Sequence, residues 1–451
     1  MGWQFWFQTS AFLRRVALLR NEKSVKYQAQ SVAPKLISYY FPVPYLCSMI
    51  NTRQLFLQHV AQTSEAPLLL DIEYAEGMYL YDSDNTRYMD LIAGIGVSSL
   101  GHRHPAVLTA VRQQLDKYLH TMVYGEYVLA PQVALAKWLA DHLPPSLDST
   151  YFVNSGAEAV EGAMKLAKRY THRSQIIACR NAYHGSTQGA ASLNSDDYFT
   201  QAYRPLLPDI HHISYNIEAD IAQITTRTAA VIVETIQAES GIYPPVPGYL
   251  EALRARCTQV GALLILDEIQ AGCGRTGYLW AFEAFGIVPD ILLLAKGFGG
   301  GMPIGAFVAN RQMMQVLTHN PVLGHITTFG GHPVNCAAAL ATMQTLTAGT
   351  LIADVAAKEQ LFRALLRHPN IRAVRSAGLM MAVELDSFDQ VLSVIKYCLA
   401  HGIITDWFLF NSRCLRIAPP LVITEADIRT ACQIIVAGIE NAAIPRPPYR
   451  V

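Results

Sequence analysis

Between residues 150 and 309, short and largely apolar runs alternate with longer stretches of helical spacing, and this alternation leaves the chain few possible folds. The strand-like runs are Thr150–Val153, Ile176–Cys179, Ala230–Glu234, Leu263–Asp267, Ile291–Ala295 and Gly305–Ala309. Helical spacing covers 157–170, 247–260 and 333–347. A strand that is apolar at every position must be covered on both faces, and helical crossovers cover both faces of a mostly parallel sheet. The expected class is therefore α/β. Near residue 350 the pattern changes to helix, strand, helix and helix over 352–368, 379–385, 387–401 and 425–441, which reads as a separate α+β domain. Upstream, Asp82 and Asp84-Asn85 punctuate two short runs, so 70–90 reads as a hairpin. Helices are expected over 105–118, opening at Pro105, and over 130–143.

Composition narrows the function classes. Of 451 residues 51% are hydrophobic, enough for a large core and too many for a disordered chain. Formal net charge is zero, whereas a nucleic-acid binder concentrates basic residues, so no nucleic-acid partner is expected. No apolar run is long enough to span a bilayer, and no membrane partner is expected. The eight cysteines are scattered singly, the usage of free thiols in a reducing compartment. No metal-ligand spacing is present, so no metal is expected; His211-His212 and His102-Arg103-His104 read as a surface loop or a helix entry. Residues 1–48 carry Arg14, Arg15, Arg20, Lys23, Lys26 and Lys35 against the single acid Glu22. They are either an organellar presequence or a start assigned too early, with Met49 the true start. Trp3, Trp6, Pro34, Pro42 and Pro44 break any sustained amphipathic period and favour the second reading. The expected location is the cytoplasm, or the mitochondrial matrix if 1–48 are a presequence.

In an open parallel sheet, ligands gather outside the carboxyl ends of the strands. Asn154-Ser155-Gly156-Ala157-Glu158 follows one strand and opens a helix. Ser155 and Glu158 have capping-box spacing, which a helix start alone would explain. A hydroxyl and free N–H groups at a positive helix end also make a phosphate seat. Two wholly apolar strands end in Asp267-Glu268 and in Lys296. Beside a phosphate seat, that pair is what pyridoxal 5′-phosphate requires. The amine condenses with the aldehyde, and the carboxylate keeps the pyridine nitrogen protonated so that the ring can accept electrons. The run Gly297-Phe298-Gly299-Gly300-Gly301 has its lysine before the glycines, which is wrong for a nucleotide triphosphate loop. It also lies too late in the sheet for a dinucleotide fingerprint.

Six segments together resemble the class III aminotransferases. They are Leu294 through Ala306, Leu266 through Gly277, Asn154 through Glu161, Tyr183-His184-Gly185, Thr328 through Pro333 and Gly101 through Pro105. The resemblance runs from about residue 55 to the C-terminus. It implies the fold type I architecture of pyridoxal-phosphate transferases, with a mostly parallel sheet in a large domain and a smaller α+β domain built from both chain ends. The corresponding division is an extension at 1–48, small-domain segments at 49–104 and 349–451, and a large domain at 105–348. It implies a homodimer with composite active sites, in which Lys296 forms the Schiff base and Asp267 faces the pyridine nitrogen. Ser155, Gly156 and Ala157 would bind the phosphate. Gln270 would meet the ring hydroxyl, Tyr183 would stack on the ring, and His184 would join the cofactor site. Thr328 would reach the phosphate of the neighbouring subunit.

The same resemblance assigns substrate residues. Glu239 corresponds to a gating glutamate and Arg416 to an arginine that grips a carboxylate, a task suited to its planar fork. Taken alone, either would pass for a surface charge. One departure bears on the donor: Ser186 stands where ornithine, acetylornithine and 4-aminobutyrate aminotransferases usually carry an arginine for a distal carboxylate. The implied activity is a ping-pong transfer from an ω-amino acid or related amine to a 2-oxo acid, with 2-oxoglutarate and glutamate as one pair. Two alternatives stay open at this point: another pyridoxal-phosphate chemistry (aminomutase, decarboxylase or racemase) and a non-catalytic cofactor-binding protein.

Overall fold

The structure, a computed structural model, describes residues 51–443. The expected extension at 1–48 lies outside the described residues. Contacts divide the chain after Pro67. In the first unit, the helix Thr52–His59 starts at Asn51, whose side chain accepts from Gln54 N while Gln54 answers to the Asn51 backbone.

The second unit begins with three short antiparallel strands, β1 (Ile72–Glu76), β2 (Tyr79–Asp82) and β3 (Arg87–Asp90). The expected hairpin is thus a three-stranded meander. The large sheet follows, comprising β4 (Ser149–Val153), β5 (Gln175–Cys179), β6 (Ile210–Ile213), β7 (Thr228–Glu234), β8 (Leu263–Asp267), β9 (Ile291–Leu294) and β10 (Gly305–Ala309). Its order is β4-β10-β9-β8-β7-β5-β6. β10 pairs antiparallel with both β4 and β9, and the other pairings are parallel, so β10 alone runs against the sheet. The apolar runs have their expected cause. On β8, Leu264 and Leu266 join one buried cluster while Leu263 and Ile265 join another, and β9 divides its residues in the same way. The C-terminal segment supplies β11 (Ala373–Ala377), β12 (Met380–Glu384), β13 (Ile403–Ile404), β14 (Asp406–Phe408) and β15 (Asn411–Ile417). β13 pairs parallel with β3, which joins the two ends of this unit in one sheet.

Sequence reading misplaced one pair of histidines. His211 and His212 lie in the edge strand β6, not in a loop or at a helix entry. An edge strand tolerates polar side chains because one of its sides is not packed, and a polar pair hides the strand from a search for apolar runs. His104 does stand at a helix entry, capping Pro105–Leu115 by accepting from Ala106 N.

Candidate active site

β4, β5, β7, β8 and β9 all end on one side of the large sheet, and the connections beyond them enclose a cavity of about 710 Å³. Lys296, Asp267, Ser155, Gly156, Ala157, Tyr183, His184, Gln270 and Glu239 all line it, so one cavity collects nine of the eleven expected site residues. Arg416 lies one contact behind, through Glu239, and Thr328 is exposed away from it.

Lys296 follows β9 with φ 46°, a left-handed conformation that an L-residue with a side chain rarely adopts. The strand ends there and the chain turns into the glycine run. Gly300 has φ +59°, and a Cβ on it would come within 2.0 Å of Thr342 Oγ1, so close packing accounts for that glycine. The Lys296 amine makes no hydrogen bond or ion pair among the described residues. Burial pulls its pKa below the ordinary lysine value, while Glu239 and Asp267 partly oppose the shift. A larger neutral fraction is what a condensing amine and a proton carrier both need.

Asp267 closes β8 and is 4% exposed. Its Oδ1 accepts from Ile269 N at 2.9 Å and its Oδ2 from His184 Nδ1 at 2.7 Å. Because the carboxylate oxygen can only accept, Nδ1 carries the proton. His184 Nε2 is buried without a partner. The polar contact of His184 is therefore with Asp267: it holds the carboxylate that would face a pyridine nitrogen.

Ser155 caps the helix Gly156–Thr171 and accepts from Glu158 N at 3.2 Å. Glu158 returns not to Ser155 but to Asn154 N at 2.6 Å, so the capping box is shifted by one residue. The N–H groups of Gly156 and Ala157 have no acceptor among the described residues and line the cavity, as an anion seat requires. Asn154 Nδ2 also donates to Thr327 Oγ1 at 2.9 Å, which ties this seat to the loop carrying Thr328. Opposite, the Tyr183 hydroxyl meets Ser186 Oγ at 3.0 Å. A pyridine with a phosphate and an aldehyde fits this set: an anion seat, a buried carboxylate, an aromatic ring and an unpaired amine share one cavity.

Two acids in the site escaped sequence reading. Glu234 closes β7 in register with Asp267, and its Oε1 accepts from Ala238 N at 3.1 Å. Its Oε2 is buried without a partner. Burial, reinforced by Asp267, raises its pKa well above the ordinary value, so folding favours its protonated form. The sign follows from linkage. A carboxyl whose pKa is raised by folding contributes fully at acid pH, and the contribution is lost as pH rises through the raised value. Glu234→Gln, which keeps the acceptor for Ala238 N and cannot ionise, is therefore expected to lessen the decline of stability as pH rises above the ordinary carboxylate range and to be at least as stable as wild type at neutral pH. Glu234→Ala, which strips Ala238 N of its acceptor and leaves a void, should cost about 2–3 kcal/mol in denaturant unfolding. Equal losses in the two variants would contradict a raised Glu234 pKa. The second acid is Asp406, whose Oδ1 lies 2.8 Å from Arg416 Nε. Asp406 stands directly across β14–β15 from Arg416, a pairing visible only once the hairpin register is known.

Arg416 is 4% exposed and donates Nη1 and Nη2 to the two oxygens of Glu239, each at 2.8 Å. Burial works against both charges, yet each outweighs it in the other: Glu239 is held below the usual carboxylate value and Arg416 well above the usual guanidinium value. Among the described residues there is no group of three or more His, Cys, Asp or Glu arranged to hold a metal. No helix of the described residues is long and apolar enough to cross a membrane.

Comparison with known proteins points the same way. The profile of the family Aminotransferase class-III matches residues 60–439. An acetylornithine aminotransferase of Methanopyrus kandleri is 38% identical over 361 residues, covering 79% of this chain and 90% of that protein. One from Gloeobacter violaceus is 37% identical over 399 residues, covering 86% and 97%. Among solved structures, the ornithine aminotransferase of Toxoplasma gondii superposes with a TM-score of 0.80 at 31% identity, covering 86% of this chain and 93% of that one.

Proposed function

Because the chain belongs to the class III aminotransferases, which depend on pyridoxal phosphate, we propose that it moves an amino group from an ω-amino acid or related primary amine to a 2-oxo acid, with 2-oxoglutarate and glutamate as the acceptor pair. The observation that carries the acceptor half is Arg416, a buried guanidinium whose fork is held by Glu239, an acid that lines the cavity. A built-in carboxylate keeps such a cation paired until a substrate carboxylate replaces it.

Bound pyridoxal phosphate supplies an aldehyde for amines and a ring that withdraws electrons from the substrate carbon. The chain's residues do the rest. The helix end at Ser155, Gly156 and Ala157 would seat the phosphate, and Tyr183 would cover the ring. Asp267, fixed by His184, would set a negative charge at the ring nitrogen. Gln270, which reaches Glu239 at 3.4 Å, stands between cofactor and substrate gate. Lys296 would hold the cofactor through its aldehyde and, when freed by an incoming amine, its neutral Nζ would accept the proton of the substrate carbon and give it back to the bound cofactor. We further place the protein as a homodimer, with exposed Thr328 completing the partner's phosphate seat; Phe329 beside it is 54% exposed, the kind of apolar surface a second copy would cover.

The test is a panel of single amines added to the cofactor-loaded enzyme with and without 2-oxoglutarate. Each productive amine should bleach the cofactor absorbance once, and sustained turnover should require the 2-oxo acid mole for mole. Turnover without any acceptor would indicate a mutase, decarboxylase or racemase instead. Within the panel, Arg416→Ala should lower kcat/KM for glutamate by about 2–4 kcal/mol of lost charge-assisted hydrogen bonding. It should affect an uncharged amine or a diamine much less. Ser186→Arg should improve donors with a second carboxylate. An equal loss for every substrate in Arg416→Ala would make the residue structural.

A further inference from the structure

Arg416 is paired with two carboxylates on different edges of its guanidinium. The Nη1–Nη2 edge faces Glu239, which lines the cavity. The Nε edge faces Asp406 Oδ1 at 2.8 Å, Nη2 also donates to Trp407 O at 3.1 Å, and the group lies 4.3 Å over the Phe408 ring. Glu239 belongs to the connection beyond β7. Asp406 belongs to β14, in direct register with Arg416 on β15. Asp406 and Arg416 therefore share one hairpin, and Glu239 approaches them from another element.

We propose that Asp406 is the permanent partner of Arg416, gripping it by Nε while the Nη1–Nη2 fork passes from Glu239 to a substrate carboxylate, and that Asp406 takes up a proton when the substrate arrives. The proposal rests on the reading of Arg416 as the carboxylate site. Its basis is charge. One guanidinium already faces two acids inside the protein, and a substrate carboxylate is a third. The groups facing Asp406 are Arg416, Glu239 and Asp90, the last paired with His102 at 2.9 Å. Burial raises the Asp406 carboxyl to about 6; Arg416 opposes the rise, and Glu239 and Asp90 add to it. A third carboxylate competing for Arg416 raises it further. Carboxylate affinity should thus be greatest at acid pH, weaken as pH rises through about 6 and level off above the value in the complex.

The test is 2-oxoglutarate binding to the enzyme loaded with pyridoxal phosphate, a form in which no amino group is available for transfer. Calorimetry in two buffers of different ionisation heat reads proton uptake directly. The wild type should take up close to one proton, on the order of 0.5–1, near neutrality, and its Kd should rise about tenfold from about pH 6 to about pH 8. Asp406→Asn keeps an acceptor for Nε–H and removes the charge. It should bind about tenfold tighter than wild type at the alkaline end, with a flat pH profile and no uptake. Asp406→Leu, which removes the grip, should weaken binding at every pH. Uptake that persists in Asp406→Asn and vanishes in Glu239→Gln would assign the proton to Glu239 and overturn the proposal. If Arg416→Ala binds 2-oxoglutarate as well as wild type, the carboxylate site itself is misplaced. If Arg416→Ala loses binding while Asp406→Asn matches wild type in Kd and uptake, only the role of Asp406 fails.

Discussion

Lys296→Ala is expected to fold normally and to lose sustained turnover, with kcat lower by a factor of about 10⁴ or more. The fold should survive because the amine makes no hydrogen bond or ion pair among the described residues, so its removal orphans no buried partner. Burial disfavours its charge, and truncation ends that cost too. The left-handed backbone at φ 46° is no worse for alanine than for lysine. The chemistry should not survive if, as proposed, this one amine both anchors the cofactor and moves the proton at the substrate carbon. Steady-state rates beside a thermal melt check both halves. A variant that melts like wild type and retains a tenth of its rate would remove Lys296 from the reaction.

Asp267→Asn should retain cofactor binding and lower kcat by a factor on the order of 10³, as loss of a dominant electrostatic group does. Its two oxygens accept from Ile269 N and from His184 Nδ1. Asparagine keeps one acceptor and presents an N–H₂ where the other stood. The unpartnered Nε2 lets His184 adapt, by moving its proton there and accepting at Nδ1. The geometry is thus preserved at a cost of about 1 kcal/mol while the negative charge is lost. Cofactor affinity and kcat, measured on the same preparation, separate the two effects. Near-native kcat would show that the carboxylate does not face the ring nitrogen.

Most of the site was legible because its residues stand at the ends of strongly patterned elements. β8 and β9 announce themselves as apolar runs, and Asp267 and Lys296 are the residues on which those runs stop. Ser155 was legible as a cap, and its proposed phosphate role rests on the same orphan N–H groups that make it a cap. What escaped was set by tertiary register. Glu234 closes an apolar strand just as Asp267 does, but its raised pKa comes from burial and from lying beside Asp267 across a ladder, which no local pattern reveals. Asp406 lies ten positions before Arg416, on a three-residue strand too short to stand out. β6 escaped for the same reason. The antiparallel course of β10 was hidden because an apolar run carries no direction.

The central claim is that Lys296 carries pyridoxal phosphate in this cavity, and the most direct test is chemical trapping. The cofactor-loaded protein is reduced with borohydride, digested and mapped by mass. The account predicts one pyridoxyl adduct, on Lys296, with loss of the visible cofactor band. An adduct on any other lysine, or none while the protein still transfers amino groups, would contradict it.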